Sequence, residues 1–502
     1  MNGKVWKSLT FVLVIAIMLF GTASAEKMSD LITVNGPSDG YSFYSSGNRL
    51  FISKPGTYTI TNNDINTAVD GFIDIGITGS NKDITLILNG VNLKPKKFAP
   101  IRCFYRCNLT IQLADGTNNT LYGKSNYGIA VHNSSSLIIN GKGTLYAIGG
   151  VEVASDMVTY YYSGIGPSNI TIESGKVYAT GAKKAPGIGG RNCTETYTYD
   201  GSLECYSDTT SNITINGGYV EAVGGENAAG IGSGYDGTAE NIVITGGTVV
   251  AKGGKDGAGI GSGWEGSVDG ITITGGTVTA LSIAQNGKTQ SSAIGGGFFS
   301  NAKNIIISGG EIIASTDEGY NAIGYYYGSQ SAATNKLKPV TGKKMLVRTG
   351  IEKDSITQEH IYTEETIIGN VGLLNYDHIT SECISHAGGK ATCTDEAICS
   401  ACGKPYGSKD FTNHVGGTEV KNRIEATYEK PGYTGDTYCL GCRTKIADGQ
   451  EIPVLVKPED NVNDNVDTSI LPKTGDNSHI VLWLALLTLA GTAIYTLKRK
   501  TA

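Results

Sequence analysis

Four aromatic residues recur at a near-constant interval: Tyr235, Trp264, Phe298 and Tyr327 are 29, 34 and 29 residues apart. Each follows a glycine-associated isoleucine (Ile231, Ile260, Ile294, Ile323) by four residues. Rings repeated along a surface offer π faces to the CH faces of sugars. The same spacing also suits a structural aromatic stack that covers a turn. Asp236 and Glu265, each next to a ladder aromatic, supply carboxylates for sugar hydroxyls or for a cation. With acidic neighbours, a polyanionic ligand would need calcium as a bridge.

Cysteines form the second chemical pattern. Cys399-Ser-Ala-Cys402 and Cys439-Leu-Gly-Cys442 are C-x-x-C knuckles separated by 36 residues. Two such knuckles suit a tetrahedral zinc site, while disulfides or free thiols are the other readings of the same four residues. His386-x-Gly-Gly and His414-x-Gly-Gly open two half-repeats. Ala391-Thr-Cys393 of the first aligns with Ala426-Thr-Tyr428 of the second, which therefore lacks one cysteine. Elsewhere, Cys103 and Cys107 bracket a tight turn. Cys193 and Cys205 would close a 13-residue loop, worth about 3 kcal/mol as a disulfide.

Catalytic constellations are not found. Calcium-dependent lyase chemistry needs clustered carboxylates and a Lys or Arg base. Asp115, Asp236, Asp256 and Asp269 instead sit singly before glycines, and Arg102, Arg106 and Arg191 do not recur as a site. No G-x-S-x-G, H-E-x-x-H or phosphate loop is found. The expectation is a non-enzyme.

These residues must be positioned by repeated elements. Asn241-Ile-Val-Ile-Thr-Gly-Gly-Thr-Val-Val-Ala251 returns as Gly270-Ile-Thr-Ile-Thr-Gly-Gly-Thr-Val-Thr-Ala280, and in related form at 212–222, 304–314, 169–179 and 136–147. The strand-opening aliphatics are Ile84, Leu109, Leu137, Ile170, Ile213, Ile242, Ile271 and Ile305. A second line, Ala229-Gly-Ile231-Gly-Ser-Gly, recurs from Ala258, Ala293 and Ala322. Apolar residues alternate, so each segment is a short half-buried strand. Gly-Gly supplies a corner. No unit buries its apolar face alone, so units must stack about 4.8 Å apart. The residues preceding the aliphatics, Asp83, Asn108, Ser136, Asn169, Asn212, Asn241, Gly270 and Asn304, read as a structural ladder at a corner.

Composition agrees. Glycine contributes 70 of 502 residues and proline only 12, which excludes collagen. Lys and Arg total 40 against 46 Asp and Glu, for a net charge of −6, so no basic stripe argues for nucleic acid. The sequence predicts an all-β chain: a right-handed parallel β-helix of about eight coils, then a small Cys-rich module and a C-terminal transmembrane anchor. The boundaries are a signal peptide over 1–25, an N-terminal cap over 26–82, repeats over 83–330 and a C-terminal cap over 331–381. A CxxC module over 382–454, an acidic linker over 455–470 and a terminal segment over 471–502 follow.

Both ends read as export signals. Lys4 and Lys7, the apolar run Leu9–Phe20 and Ala23-Ser24-Ala25 form a secretory signal cleaved after Ala25. Leu471-Pro472-Lys473-Thr474-Gly475 precedes an uncharged stretch over 480–497 and Lys498-Arg499-Lys500. Motif, apolar span and basic tail in that order resemble the cell-wall sorting signal of Gram-positive surface proteins. The resemblance implies sortase cleavage between Thr474 and Gly475, joining to peptidoglycan, and a transient membrane anchor beforehand.

Asn89-Gly-Val-Asn92, Leu113-Ala-Asp-Gly-Thr-Asn-Asn-Thr-Leu121 and the Ala-Gly-Ile-Gly-Ser-Gly runs resemble a family of secreted carbohydrate-binding β-helix proteins of Firmicutes. Their fold is related to that of pectate lyases. The resemblance covers about 50–330 and implies a polysaccharide ligand, in some members with calcium. The Cys-rich segment resembles short repeats of Firmicutes surface proteins, which implies a spacer. A protein-binding structural or adhesive stalk and a calcium-dependent polysaccharide lyase are the alternative functions.

Overall fold

The computed structural model describes residues 27–457, apart from 45–46, 77–82, 104–105, 155–157, 194–206, 284–290, 317–321, 325–334, 340–342, 354–359, 370, 373–375 and 401–402. The described chain is almost wholly β, with one four-residue helix, Met28–Leu31. No helix among the described residues is long and apolar enough to cross a membrane. The expected signal (1–25), the span 480–497, and Leu471, Pro472, Thr474 and Gly475 lie outside the described residues.

Three long sheets of 12, 11 and 11 strands organise the larger compact unit. The chain visits them in rotation. Asp83–Asn89 lies in the first sheet, Asn92–Leu93 in the second and Ile101–Cys103 in the third, and Asn108–Leu113 then returns to the first. Eight such turns run from Asp83 to Gly324, with parallel pairing between successive turns. This is consistent with a parallel β-helix. The parallel stack also reaches upstream of Asp83, because Gly56–Asn62 pairs in parallel with Asp83–Asn89.

Register follows the aliphatics. Ile84, Leu109, Leu137, Ile170, Ile213, Ile242, Ile271 and Ile305 are aligned from strand to strand in the first sheet. None is more than 1% exposed. The second sheet aligns Ala147, Ala179, Ala222, Ala251, Ala280 and Ala314. The third aligns Ile188, Ile231, Ile260, Ile294 and Ile323. A one-residue slip would turn each column outward, so burial on one face sets the register.

Antiparallel strands cover both ends of the stack. Ile32–Asn35 pairs with Gly56–Asn62. At the other end Tyr376–Cys383 pairs with Glu311–Ser315, and Lys343–Lys353 pairs with Tyr376–Cys383. A reversed strand closes the exposed row of N–H and C=O groups that would otherwise template further pairing.

The corner ladder is hydrogen-bonded along the stack. Asn108 Nδ2 donates to Asp83 Oδ1 at 2.8 Å, Asn212 Nδ2 to Asn169 Oδ1 at 2.9 Å, and Asn241 Nδ2 to Asn212 Oδ1 at 2.8 Å. Asn169, Asn212, Asn241 and Asn304 all have φ between 54° and 58°. Asparagine tolerates this left-handed conformation better than other residues with a Cβ. Gly270, at φ 88°, takes the same ladder position without a side chain. We expect Asn241→Ala to destabilise the stack by about 1–2 kcal/mol through backbone strain and one lost hydrogen bond. Asn241→Gly should cost less. Thermal melts of both variants check this, and equal midpoints would remove the backbone part of the explanation.

Candidate functional site

Three of the four ladder aromatics stand together at one corner. Tyr235 and Trp264 are 5.8 Å apart at 79°, and Trp264 and Phe298 are 5.8 Å apart at 51°. Alignment of Ile231, Ile260 and Ile294 brings the residues four positions later onto successive turns. The next residue turns left-handed at each: Asp236 at 47°, Glu265 at 57° and Phe299 at 53°. The Asp236 N–H donates to the Trp264 carbonyl at 2.7 Å, and the Glu265 N–H to the Phe298 carbonyl at 2.8 Å. The Tyr235 hydroxyl donates to Glu265 Oε2 at 2.9 Å. The Lys184 ammonium lies 4.5 Å over the Tyr235 ring, and Phe299 lies 4.0 Å from Phe298. The rings pack edge-on or tilted, and both end rings have neighbours over them. Tyr327 lies outside the described residues.

A second aromatic series lies on the outward face of the second sheet. Tyr146 and Tyr178 are register partners whose rings stack at 5.0 Å and 15°. Tyr219, on the next strand, is 5.6 Å from Tyr178 at 48°. Its hydroxyl donates to Glu221 Oε2 at 3.1 Å, and the Lys252 ammonium donates to Glu221 Oε1 at 2.6 Å. Tyr146 is 38% exposed. Burial first, and then the Glu221 charge, push the Tyr219 phenol up to about 12. Burial also raises Tyr178. Both phenols therefore stay protonated at neutral pH, and the Tyr219 O–H is the one donated to Glu221.

Tyr146, Tyr178 and Tyr219 are not among the sequence-based candidates, yet the strand alternation carries their signal. The alternation that turns Leu145, Ala147, Val177 and Ala179 inward turns the intervening Tyr146 and Tyr178 outward.

The tyrosine-rich flank at 160–162 packs differently. Buried Tyr127 donates its hydroxyl to Asp208 Oδ2 at 2.5 Å and accepts from the Arg191 N–H at 3.1 Å. The Tyr162 hydroxyl donates to Glu152 Oε2 at 2.7 Å, and the Arg191 guanidinium lies 5.1 Å over the Tyr160 ring. Burial raises both the Tyr127 and Tyr162 phenols, followed by the carboxylate each one faces. These hydroxyls are spent on internal bonds that brace the side of the stack.

Cys103 and Cys107 form a disulfide, with Cα atoms 6.5 Å apart. Cys193 lies on the strand Asn192–Cys193, but its side chain, like the whole of Cys205, lies outside the described residues. Of the expected metal set Cys399, Cys402, Cys439 and Cys442, the structure brings Cys439 and Cys442 together. Cys402 is outside the described residues, and the others divide between two compact units. Cys383, His386 and Cys399 converge in the first unit, with Cys383 and Cys399 sulfurs 3.8 Å apart. Cys393, His414, Cys439 and Cys442 converge in the second. The reason is the path of the chain. Residues 390–397 pack with the second unit and 398–406 with the first, so Cys393 and Cys399 are drawn to opposite groups. Cys393 thus supplies the cysteine missing at Tyr428.

Both knuckles close by the same turn. The Gly403 N–H donates to the Cys399 carbonyl at 2.8 Å, and the Arg443 N–H to the Cys439 carbonyl at 2.9 Å. Hydrogen bonds from Thr444, by side chain and then backbone, pull the Cys442 thiol down to about 6. The Cys442 backbone N–H is the main cause holding Cys439 below the usual thiol range. Thiolates at these positions are the form that binds metal. Among the described residues, these two Cys/His clusters are the groups whose donor atoms converge as metal ligands would.

A protein-family model described as carbohydrate-binding domain-containing protein matches residues 46–327, more than half of the chain. No curated protein and no solved structure matches it. The matched span contains all the turns from Asp83 to Gly324, both aromatic series and the Arg191 cluster.

Proposed function

The chain belongs to the carbohydrate-binding domain-containing protein family; from that membership we propose a non-catalytic polysaccharide binder, and from the terminal motifs its display on a Gram-positive cell wall. The stack is read as a right-handed parallel β-helix whose outward tyrosine strip carries the glycan. The observation that supports this reading is the run of Tyr146, Tyr178 and Tyr219 on three successive turns inside the family-matched span, the first two in register and Tyr219 two residues out of it. Their separations of 5.0 and 5.6 Å are comparable to the advance of one pyranose unit in an extended chain. A glycan lying along the stack would therefore meet one tyrosine per sugar. The rings of Tyr146 and Tyr178 face each other, so the strip meets a sugar with ring edges and hydroxyls: phenolic O–H groups donate, Glu221 accepts and Lys252 donates. The ladder of Tyr235, Trp264 and Phe298 is read as bracing the turn that follows the third-sheet strands.

The test is binding of the mature chain to a panel of soluble and insoluble polysaccharides, with and without calcium, with a parallel assay for released products. Retention on a glycan without product release is expected. Release of unsaturated sugars would make the chain a lyase, and retention on none of them would favour a protein-binding stalk.

Display rests on Ala25 and on Leu471, Pro472, Thr474 and Gly475. In this reading a sortase cysteine attacks the Thr474 carbonyl, Gly475 leaves as the amine, and a peptidoglycan amine resolves the acyl-enzyme. In a sortase-bearing Gram-positive host, the chain is expected in the wall fraction, ending at Thr474. Thr474→Ala should hold it in the membrane fraction, and equal wall linkage of the variant would overturn the assignment.

A further inference from the structure

The second compact unit has almost no apolar core. Among its described residues the buried side chains are Cys393, Ala397, Asp436 and Cys439, while Val420, Ile424 and Leu440 are exposed. Short antiparallel strands, Thr418–Lys421, Asp436–Cys439 and Lys445–Ala447, are its main regular elements. So little apolar burial does not hold a small fold together without a staple.

The staple has the geometry of a metal centre. The sulfurs of Cys393 and Cys439 are 3.7 Å apart, and the Cys442 sulfur is 3.4 Å from His414 Nδ1. All four donor atoms lie within 4.8 Å of one another. Zn–S bonds of about 2.3 Å and Zn–N bonds of about 2.0 Å in a tetrahedron place sulfurs roughly 3.8 Å apart and S and N roughly 3.5 Å apart. A disulfide instead needs sulfurs about 2.05 Å apart. The count also disfavours disulfides, because Cys393, Cys439 and Cys442 are the only cysteines of this unit's sequence. One disulfide among three thiols leaves the third unmatched, whereas three thiols and one imidazole complete a four-ligand shell.

We infer that Cys393, His414, Cys439 and Cys442 form a structural zinc site that holds the second unit together. The first half-repeat donates Cys393, so the site joins the two halves of the repeat across 46 residues of chain. A closed shell of four protein ligands leaves no position for substrate, which makes the role structural. Zinc binding here is folding free energy for the unit.

The experiment uses the full mature chain, reduced and stripped of metal, titrated with cobalt(II) alone and then with zinc(II). Cobalt should give the visible bands of tetrahedral thiolate coordination, and zinc should abolish them. Because Cys383, His386 and Cys399 form another group, the reading is the difference between parent and variants. Cys439→Ser and His414→Ala should each bind one metal equivalent fewer than the parent. His414→Cys keeps a four-ligand shell, so it should retain the parent stoichiometry with a stronger sulfur-to-cobalt charge-transfer band. That variant separates lost ligation from lost folding. Parent-like stoichiometry in Cys439→Ser would overturn the site. So would absence of cobalt binding by the parent, or a Cys393–Cys439 disulfide mapped in the unreduced chain.

Discussion

Replacing Tyr146, Tyr178 and Tyr219 together with alanine is expected to weaken polysaccharide binding by about a hundredfold, or roughly 2.7 kcal/mol. Three lost hydroxyl donors at about 0.5–1.5 kcal/mol per hydrogen bond account for a loss of this size, and Tyr219 also orders Glu221 through its hydroxyl. The stack should stay folded, because these side chains point away from the core columns that Leu145, Ala147, Val177 and Ala179 occupy. Circular dichroism checks the fold, and retention on the bound glycan checks the loss. A companion variant with Tyr235, Trp264, Phe298 and Tyr327 changed to alanine separates the two aromatic series. If the strip variant binds like the parent and the corner variant does not, the glycan lies on the corner and the proposed surface is wrong. Tyr219→Phe keeps the ring and removes the O–H, so it should lose less than Tyr219→Ala.

Gly261→Ala is expected to cost about 3 kcal/mol or more. Gly261 has φ 140°, where an L side chain is strained, and a Cβ there would collide with the Gly295 carbonyl oxygen of the next turn. That oxygen belongs to the parallel pairing of Ile260-Gly261 with Ile294-Gly295 and cannot swing away as a flexible side chain would. The choice lies between breaking the third sheet locally and bending the backbone, and both are costly. Gly116→Ala is the control. Gly116 has φ 71°, but nothing lies within 4 Å of its Cβ position, so it should show only the backbone strain, about 1 kcal/mol. Thermal melting and limited proteolysis of the two variants test the difference. A Gly261→Ala melt no lower than that of Gly116→Ala would show that a methyl group fits between the turns at Gly261 and Gly295. Each turn is stabilised chiefly by its neighbours, so proteolysis in the Gly261 variant should begin near turns 260 and 294.

The stack was legible because one physical rule repeats in it. A short strand with one apolar face cannot stand alone, and the recurrence of Ile84 through Ile305 states which face that is. The ladder of Asn169, Asn212 and Asn241 was legible for the same reason, since repetition at a fixed place before each strand means stacking. The disulfide partners Cys103 and Cys107 were close enough in sequence for a local turn to unite them. The tyrosine strip was readable in principle, as the outward complement of the inward columns. Its standing as a surface depended on the register of three strands, which places Tyr219 beside Tyr178 although they are two ladder positions out of step.

The orientation of the corner aromatics was a tertiary matter. Spacing put Tyr235, Trp264 and Phe298 on successive turns, but the interplanar angles and the placement of Lys184 and Phe299 over the end rings depend on side-chain packing. Sequence by itself determined that this protein is built from stacked glycine-cornered strands and that it carries cysteine knuckles. Only the tertiary structure decided which cysteines meet. Two C-x-x-C motifs look like natural partners on paper because spacing along the chain is all that is visible there. In space the segment 390–397 departs from 398–406, carries Cys393 to Cys439, Cys442 and His414, and leaves Cys399 with Cys383 and His386. Ligand sets are decided by where the backbone brings donor atoms within one bond length of a common point. No local pattern records that when the partners are tens of residues apart.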